Sequence, residues 1–224
     1  MNTTVYTTIF NPPPINHKEI LRYAGVKESF SQAQQLLDIC LSEVIDKLTY
    51  KVCYAYFPLS FCSDCTDLSF MRINSSALRK NLKDCSSFVL FAATIGIELD
   101  RLISRYGRIS PSKALMMQAI GAERIESLCD AFNNMIADEA RKAGKSTPQR
   151  FSPGYGDFPI DAQKDFFRVL DPYRKIGLSL NESLLMSPTK SVTAIIGISD
   201  KEVKTAKTDC GLCNKTDCTF RRTL

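Results

Sequence analysis

The sequence predicts an α+β protein with an antiparallel or mixed sheet, on three observations. Apolar residues recur with helical period at Leu99, Leu102, Ile103 and Tyr106, and again at Ile125, Leu128, Phe132, Met135 and Ile136. Two runs read as strands: residues 50–57 alternate aromatic and smaller side chains, and residues 87–93 are apolar enough to be buried on both faces. The order of these elements is irregular, with neither a repeating strand–helix alternation nor a fixed-period repeat.

Taken in order, the elements have local reasons. After an extended leader containing Pro12, Pro13 and Pro14, Asn16 is placed to cap a short helix that ends near Gly25. Ala33, Leu37, Leu41, Val44 and Leu48 mark one face of a second helix. Ser110 and Pro111 supply a cap and a first-turn proline for a long helix ending near Gly144. Asp161 is placed to cap a helix through Leu170, and residues 176–180 and 191–198 read as further strands.

Composition narrows the function classes. The 224 residues are 44% hydrophobic, enough for one good core or two small ones. The longest nearly uninterrupted apolar run, residues 88–97, is too short to span a bilayer, so no membrane role is expected. The first residues lack a basic start and an apolar signal core, which points to a cytoplasmic location. A net charge of +5 is dispersed among acids rather than gathered into an aromatic-rich basic stripe, which argues against nucleic acid. The excess suits an acidic protein partner or simple solubility.

Residues 150–159, Arg-Phe-Ser-Pro-Gly-Tyr-Gly-Asp-Phe-Pro, form the most informative stretch. Arg150 offers a rigid fork of donors for a carboxylate or phosphate. Gly154 lets a ligand approach the main chain, Tyr155 adds an aromatic phenol, and Pro153 and Pro159 restrict the backbone. An ordinary Pro/Gly-rich turn with an exposed arginine would use the same residues.

Arg150, Gly154, Tyr155 and Pro159 fit an R-x-x-x-G-Y-x-x-x-P pattern, and residues 180–192 are similar to L-T-E-S-x-x-M-x-P-x-x-S-V, with Asn181 where that pattern has threonine. In both segments, in this order and spacing, the chain resembles the activation (reactivation) domain of cobalamin-dependent methionine synthase. Weaker likeness extends upstream through residues 91–96 and 118–126, so that residues 85 to about 198 carry the resemblance. It implies helices packed against a twisted antiparallel sheet. It also implies an S-adenosylmethionine-binding core over residues 85–200. The first eighty residues and the last twenty-five do not match the family; 1–84 reads as an N-terminal helix and strand segment of the same domain, and 201–224 as a cysteine-containing tail.

By the same resemblance, Arg150 pairs with the carboxylate of S-adenosylmethionine and the main chain of Ser152 to Gly154 meets the ligand. Tyr155 contacts it through ring and hydroxyl, and Glu126 answers its amino group or sulfonium charge. For Glu126 an exposed helix glutamate is the plain alternative, and Glu182 reads as a structural residue. The implied role is that of a stand-alone accessory subunit supporting methyl transfer. It would assist reductive methylation of cob(II)alamin on a partner cobalamin-binding methionine synthase, with an electron donor such as flavodoxin. An activator of another corrinoid methyltransferase is the near alternative. No nucleophile elbow or phosphate loop is present, so no side-chain catalyst is expected. His17, the single histidine, lies outside a cobalamin-binding context and reads as a solvent-facing residue at a helix start.

Nine cysteines need their own account. Cys40, Cys53, Cys85 and Cys129 fall in apolar patterns and read as core residues. Without an export signal, a disulfide framework is not expected. Cys62 and Cys65, and the tail residues Cys210, Cys213 and Cys218, have spacings that let thiolates converge on zinc or an iron–sulfur cluster. Reduced thiols in a tail are the alternative. A non-enzymatic metal-binding interaction module built on Cys210, Cys213 and Cys218 is therefore a third functional class, and this tail departs from the family pattern.

Overall fold

A computed structural model describes residues 3–26 and 31–201. The chain runs β1 (Tyr6–Phe10), α1 (His17–Tyr23), α2 (Ser31–Val44), a 3₁₀ turn (Ile45–Lys47), β2 (Tyr50–Pro58), β3 (Ser60–Phe61), β4 (Thr66–Asp67) and β5 (Arg72–Ile73). It continues α3 (Ser76–Leu82), β6 (Cys85–Thr94), α4 (Glu98–Ile109), α5 (Pro111–Lys142), α6 (Ala162–Leu170), α7 (Pro172–Ile176), β7 (Ser179–Leu180), β8 (Met186–Ser187) and β9 (Ser191–Ser199).

Strands pair in the order β1-β2-β6-β9, every neighbour antiparallel, so the main sheet is antiparallel rather than mixed. The register places Tyr54, Phe91 and Ala194 side by side, and Ala55, Leu90 and Ile195 one step along. Because side chains alternate across a strand, these two rows face opposite ways. The first row joins Leu37, Leu99, Leu128 and Phe132 beneath α2, α4 and α5. The second joins Leu78, Leu82, Phe158, Phe166 and Leu170 beneath α3 and α6. Coverage of both faces explains why the middle of β6 reads as continuously apolar.

Helix α5 organises the first layer. Gly121 lies so close to α4 that a Cβ there would sit 2.3 Å from Leu99 Cδ2. Two positions further along, an ion pair is buried where α5 meets the proline leader. Arg124 is fully buried and Glu123 is 2% exposed. The Arg124 guanidinium meets the Glu123 carboxylate at 2.5 and 2.6 Å, and donates to the carbonyls of Pro13 and Pro14 at 2.7 Å each. The Asn16 N–H also donates to Glu123, at 3.1 Å. The proline leader is thus held by its carbonyl oxygens, which leads β1 to the sheet edge and α1 to the side of α5.

Several expectations need correction. The extended leader contains a strand, β1, that lacks a conspicuous pattern because Tyr6 and Ile9 stay exposed at the edge. The helix expected to reach Leu48 stops at Val44, and Leu48 follows a 3₁₀ turn in extended conformation. Residues 176–180 are not one strand: Pro172 opens α7, Gly177 ends it in the left-handed region at φ 75°, and only Ser179–Leu180 pairs. Asn16 caps α1 by accepting from Glu19 N–H at 3.1 Å. Ser110 and Asp161 occupy cap positions without making a capping bond, and Asp161 accepts from Lys164 Nζ instead.

One clasp ties the second layer to the loop after Arg150. Asp157 accepts from the Ser75 and Ser76 hydroxyls at 2.6 Å each, and from the Ser76 and Ala77 N–H groups at 2.7 and 3.0 Å. These hydrogen bonds hold its carboxyl well below the usual carboxylate range, the Ser75 bond foremost.

Two outcomes follow. Arg124→Met leaves Glu123 charged and buried, and should cost about 3–5 kcal/mol in urea unfolding; a loss below about 1 kcal/mol would show the pair to be dispensable. For Asp157 the folded pKa is depressed, so its contribution is complete above the unfolded value of about 3.9 and fades as pH falls toward the folded value. Wild type should therefore out-melt Asp157→Asn at neutral pH, and the two melting curves should converge on acidification. A gap independent of pH would contradict the clasp.

Candidate functional site

Segment 146–151 lies along the outer edge of β9. Ser146 and Ser199 exchange bonds of 2.9 and 2.8 Å, and Phe151 and Ile195 exchange bonds of 2.8 and 2.9 Å. Phe151 packs into the second core layer, so its neighbour Arg150 is directed to the opposite side, toward α5. Beyond it the chain folds into a tight turn. Gly154 takes φ 92°, its N–H donates to Phe158 O at 2.8 Å, and Phe158 N–H returns to Tyr155 O at 3.0 Å.

A cleft of about 970 Å³ opens between this segment, α1, α5, the start of α6 and the β8–β9 junction. Arg150, Ser152, Pro153 and Tyr155 line it from the first sequence segment, and Met186, Ser191 and Val192 from the second. Glu126 lines it from α5, and Asn16, Glu19 and Tyr23 from α1. Ser191 is fixed by bonds to Thr94 Oγ1 and Pro188 O, at 2.9 and 2.8 Å.

At the centre stand three charges. Arg150 donates to Glu126 Oε2 at 2.5 Å and to Asp130 Oδ1 at 2.6 Å. Glu126 and Asp130 are one helical turn apart, and so share a face of α5. Burial works against the Arg150 charge, but the hydrogen-bonded carboxylates of Asp130 and Glu126 outweigh it and raise its pKa. Burial likewise pushes the Cys129 thiol up, which keeps it neutral beneath the pair. Tyr23, half-buried, is raised by burial first and then by Glu19 and Glu126, so it enters the cleft as a neutral phenol. One guanidinium against two carboxylates leaves this centre one negative charge.

The residues expected from sequence fall as follows. Arg150 and Glu126 meet, but as partners of each other. Ser152 and the 66%-exposed Tyr155 are on the cleft wall and rim. Gly154 supports the turn and is not among the lining residues. Glu182, read as structural, is exposed beyond β7. His17 is exposed at the start of α1, near Gln34. Cys40, Cys53, Cys85 and Cys129 are all buried, and burial raises the Cys53 thiol to about 12. Cys62 and Cys65, expected as metal-binding thiolates, are joined as a disulfide. Cys210, Cys213 and Cys218 lie outside the described residues, among which no cluster of three or more His, Cys, Asp or Glu is arranged for a metal. Nor is any helix among them long and apolar enough to cross a membrane.

Asp130 and the α1 residues were not anticipated. The spacing of Glu126 and Asp130 on a helix already called was the available signal for the former. Nothing local announces α1, because only the packing of the leader brings it to the cleft.

No protein-family model matches the chain, and no curated protein matches it. Among solved structures it is similar to the MetH reactivation domain bound to AdoHcy. The identity is 14% and the TM-score 0.63, over 89% of this chain and 80% of that one. The chain therefore has the fold of that reactivation domain, helices with an antiparallel sheet.

Proposed function

We propose that the chain binds S-adenosylmethionine in the cleft beside Arg150 and acts as an activation subunit for a partner cobalamin-dependent methionine synthase. The observation that carries this reading is the convergence of residues 150–155 and 186–192 on one cleft around the Arg150–Glu126–Asp130 centre. A cleft of about 970 Å³ lies within the common range for small ligands, about 300–1,000 Å³.

The electrostatics fit the ligand. S-adenosylmethionine carries a sulfonium, an ammonium and a carboxylate, one net positive charge against a centre with one net negative charge. Its carboxylate can take the Arg150 fork while its ammonium takes Glu126 or Asp130, so each internal ion pair is exchanged for an equivalent one. The other of the two carboxylates is left to answer the sulfonium, and the charges of centre and ligand sum to zero. Tyr23 and Tyr155 supply aromatic surface for the remainder of the ligand.

When bound, the ligand supplies the methyl group, and the accepting cobalt belongs to the partner's cobalamin, reduced by an external donor such as flavodoxin. The task of this chain's residues is then to hold the donor in one orientation and to exclude water from it. Ser152 and Pro153, rooted through Phe151 in the sheet, fix one wall, and Glu126 and Asp130 on α5 fix the other.

Calorimetric titration with S-adenosylmethionine tests the reading. Wild type should bind, and Arg150→Ala should weaken binding on the order of 10- to 100-fold, the loss expected for charge-assisted hydrogen bonds. A nucleoside thioether without the amino-acid end should bind wild type as weakly as the full ligand binds the variant. Equal affinities throughout would remove Arg150 from the site.

A further inference from the structure

The Phe61-Cys62-Ser63-Asp64-Cys65 turn is unused by the cleft, yet it is fastened to it. Cys62 and Cys65, both partly exposed, are joined across the tip between β3 and β4, where Cys62 N–H donates to Cys65 O at 2.9 Å. Arg79 of α3 binds this tip from below. Its guanidinium donates to both Cys62 O and Cys65 O, at 3.0 and 3.2 Å, and lies 5.4 Å from the centre of the Phe61 ring.

The same helix is tied to the ligand loop at two more points. Its first residues hold the Asp157 carboxylate, and Asn81 donates to Gln149 O, next to Arg150, at 3.1 Å. Gly156 approaches α3 so closely that a Cβ would meet Ala77 Cβ at 2.9 Å. Arg79 reads the relative position of two carbonyls held by the sulfur link together with the Cys62 N–H bond to Cys65 O. α3 therefore sits between the disulfide-bonded turn and the loop bearing Ser152 and Tyr155.

We infer that Cys62 and Cys65 form a reversible dithiol–disulfide site whose state is transmitted through Arg79 and α3 to the loop at residues 152–158. In reduction, a thiolate of a low-molecular-weight thiol or a protein dithiol attacks one sulfur. A mixed disulfide forms, and a second thiol of the reductant resolves it. Two electrons and two protons pass to Cys62 and Cys65, the sulfur–sulfur bond breaks, and the reductant leaves as its own disulfide. The freed turn no longer fixes the Cys62 and Cys65 carbonyls for Arg79. The α3 N-terminus loosens, and the Asp157 clasp loosens with it.

The experiment uses the whole chain equilibrated in thiol/disulfide buffers of graded ratio, with peptide-level differential alkylation and hydrogen exchange on the same samples. Cys62 and Cys65 should convert together, while buried Cys40, Cys53, Cys85 and Cys129 stay unlabelled. Reduction should speed exchange at residues 75–79 and 152–158, and Cys62→Ser/Cys65→Ser should show the fast pattern in every buffer. In Arg79→Ala the pair should still titrate, but exchange at 152–158 should no longer follow it.

The inference builds on the proposed ligand, whose affinity should fall on the order of fivefold on reduction, a modest coupling. Thiols that persist under oxidising buffer, or that retain zinc, would overturn the site. Exchange at 152–158 indifferent to redox state would overturn the coupling. Absence of S-adenosylmethionine binding in both states would count against the proposed function alone, since the exchange measurement needs no ligand.

Discussion

The Arg124–Glu123 pair inside the α5 interface is the constraint from which the cleft-bearing half of the molecule follows. A guanidinium removed from water needs its donors answered, and one carboxylate cannot answer all of them. The leader supplies the rest: the carbonyls of Pro13 and Pro14 belong to residues that have no N–H to satisfy in turn. Holding the leader there fixes where β1 meets β2 and where α1 lies against α5. Asn16, Glu19 and Tyr23 line the cleft as a result.

The part of the fold legible in the sequence was the part specified by period. β2, β6, β9, α4 and α5 each carry a run long enough to declare itself, and the double-sided burial of β6 was readable from the absence of alternation in 88–93. What was not legible was specified at a distance. β1 is an edge strand whose pairing depends on a buried arginine more than a hundred residues away, and α7 turns on the proline and glycine at its two ends. Capping at Ser110 and Asp161 failed as an inference because residue type does not fix side-chain direction.

The site shows the same division. Motif spacing identified both segments that meet at the cleft, but the state of Arg150 could not be read from it. A guanidinium expected to await a ligand is held by Glu126 and Asp130, and only the folding of segment 146–151 onto β9 puts it within reach of α5. Asp130 makes the centre net negative instead of neutral, and this sets which ligands it favours. The paired sulfurs of Cys62 and Cys65 likewise depend on a turn between two-residue strands that no periodicity could have marked.

The docking of Ser146 and Phe151 onto β9 divides residues 146–157 into a root bonded to the sheet and a tip that projects from it. Arg150 stands on the root, beside main-chain bonds that any side chains can make. Ser152 to Asp157 form the tip, closed by its own main-chain turn bonds and tied to α3 through the Asp157 carboxylate. Sequence drift therefore has unequal consequences along these twelve residues. Change at the root positions other than Arg150 leaves the backbone pairing to β9 in place, whereas change at Asp157 releases the tip from α3.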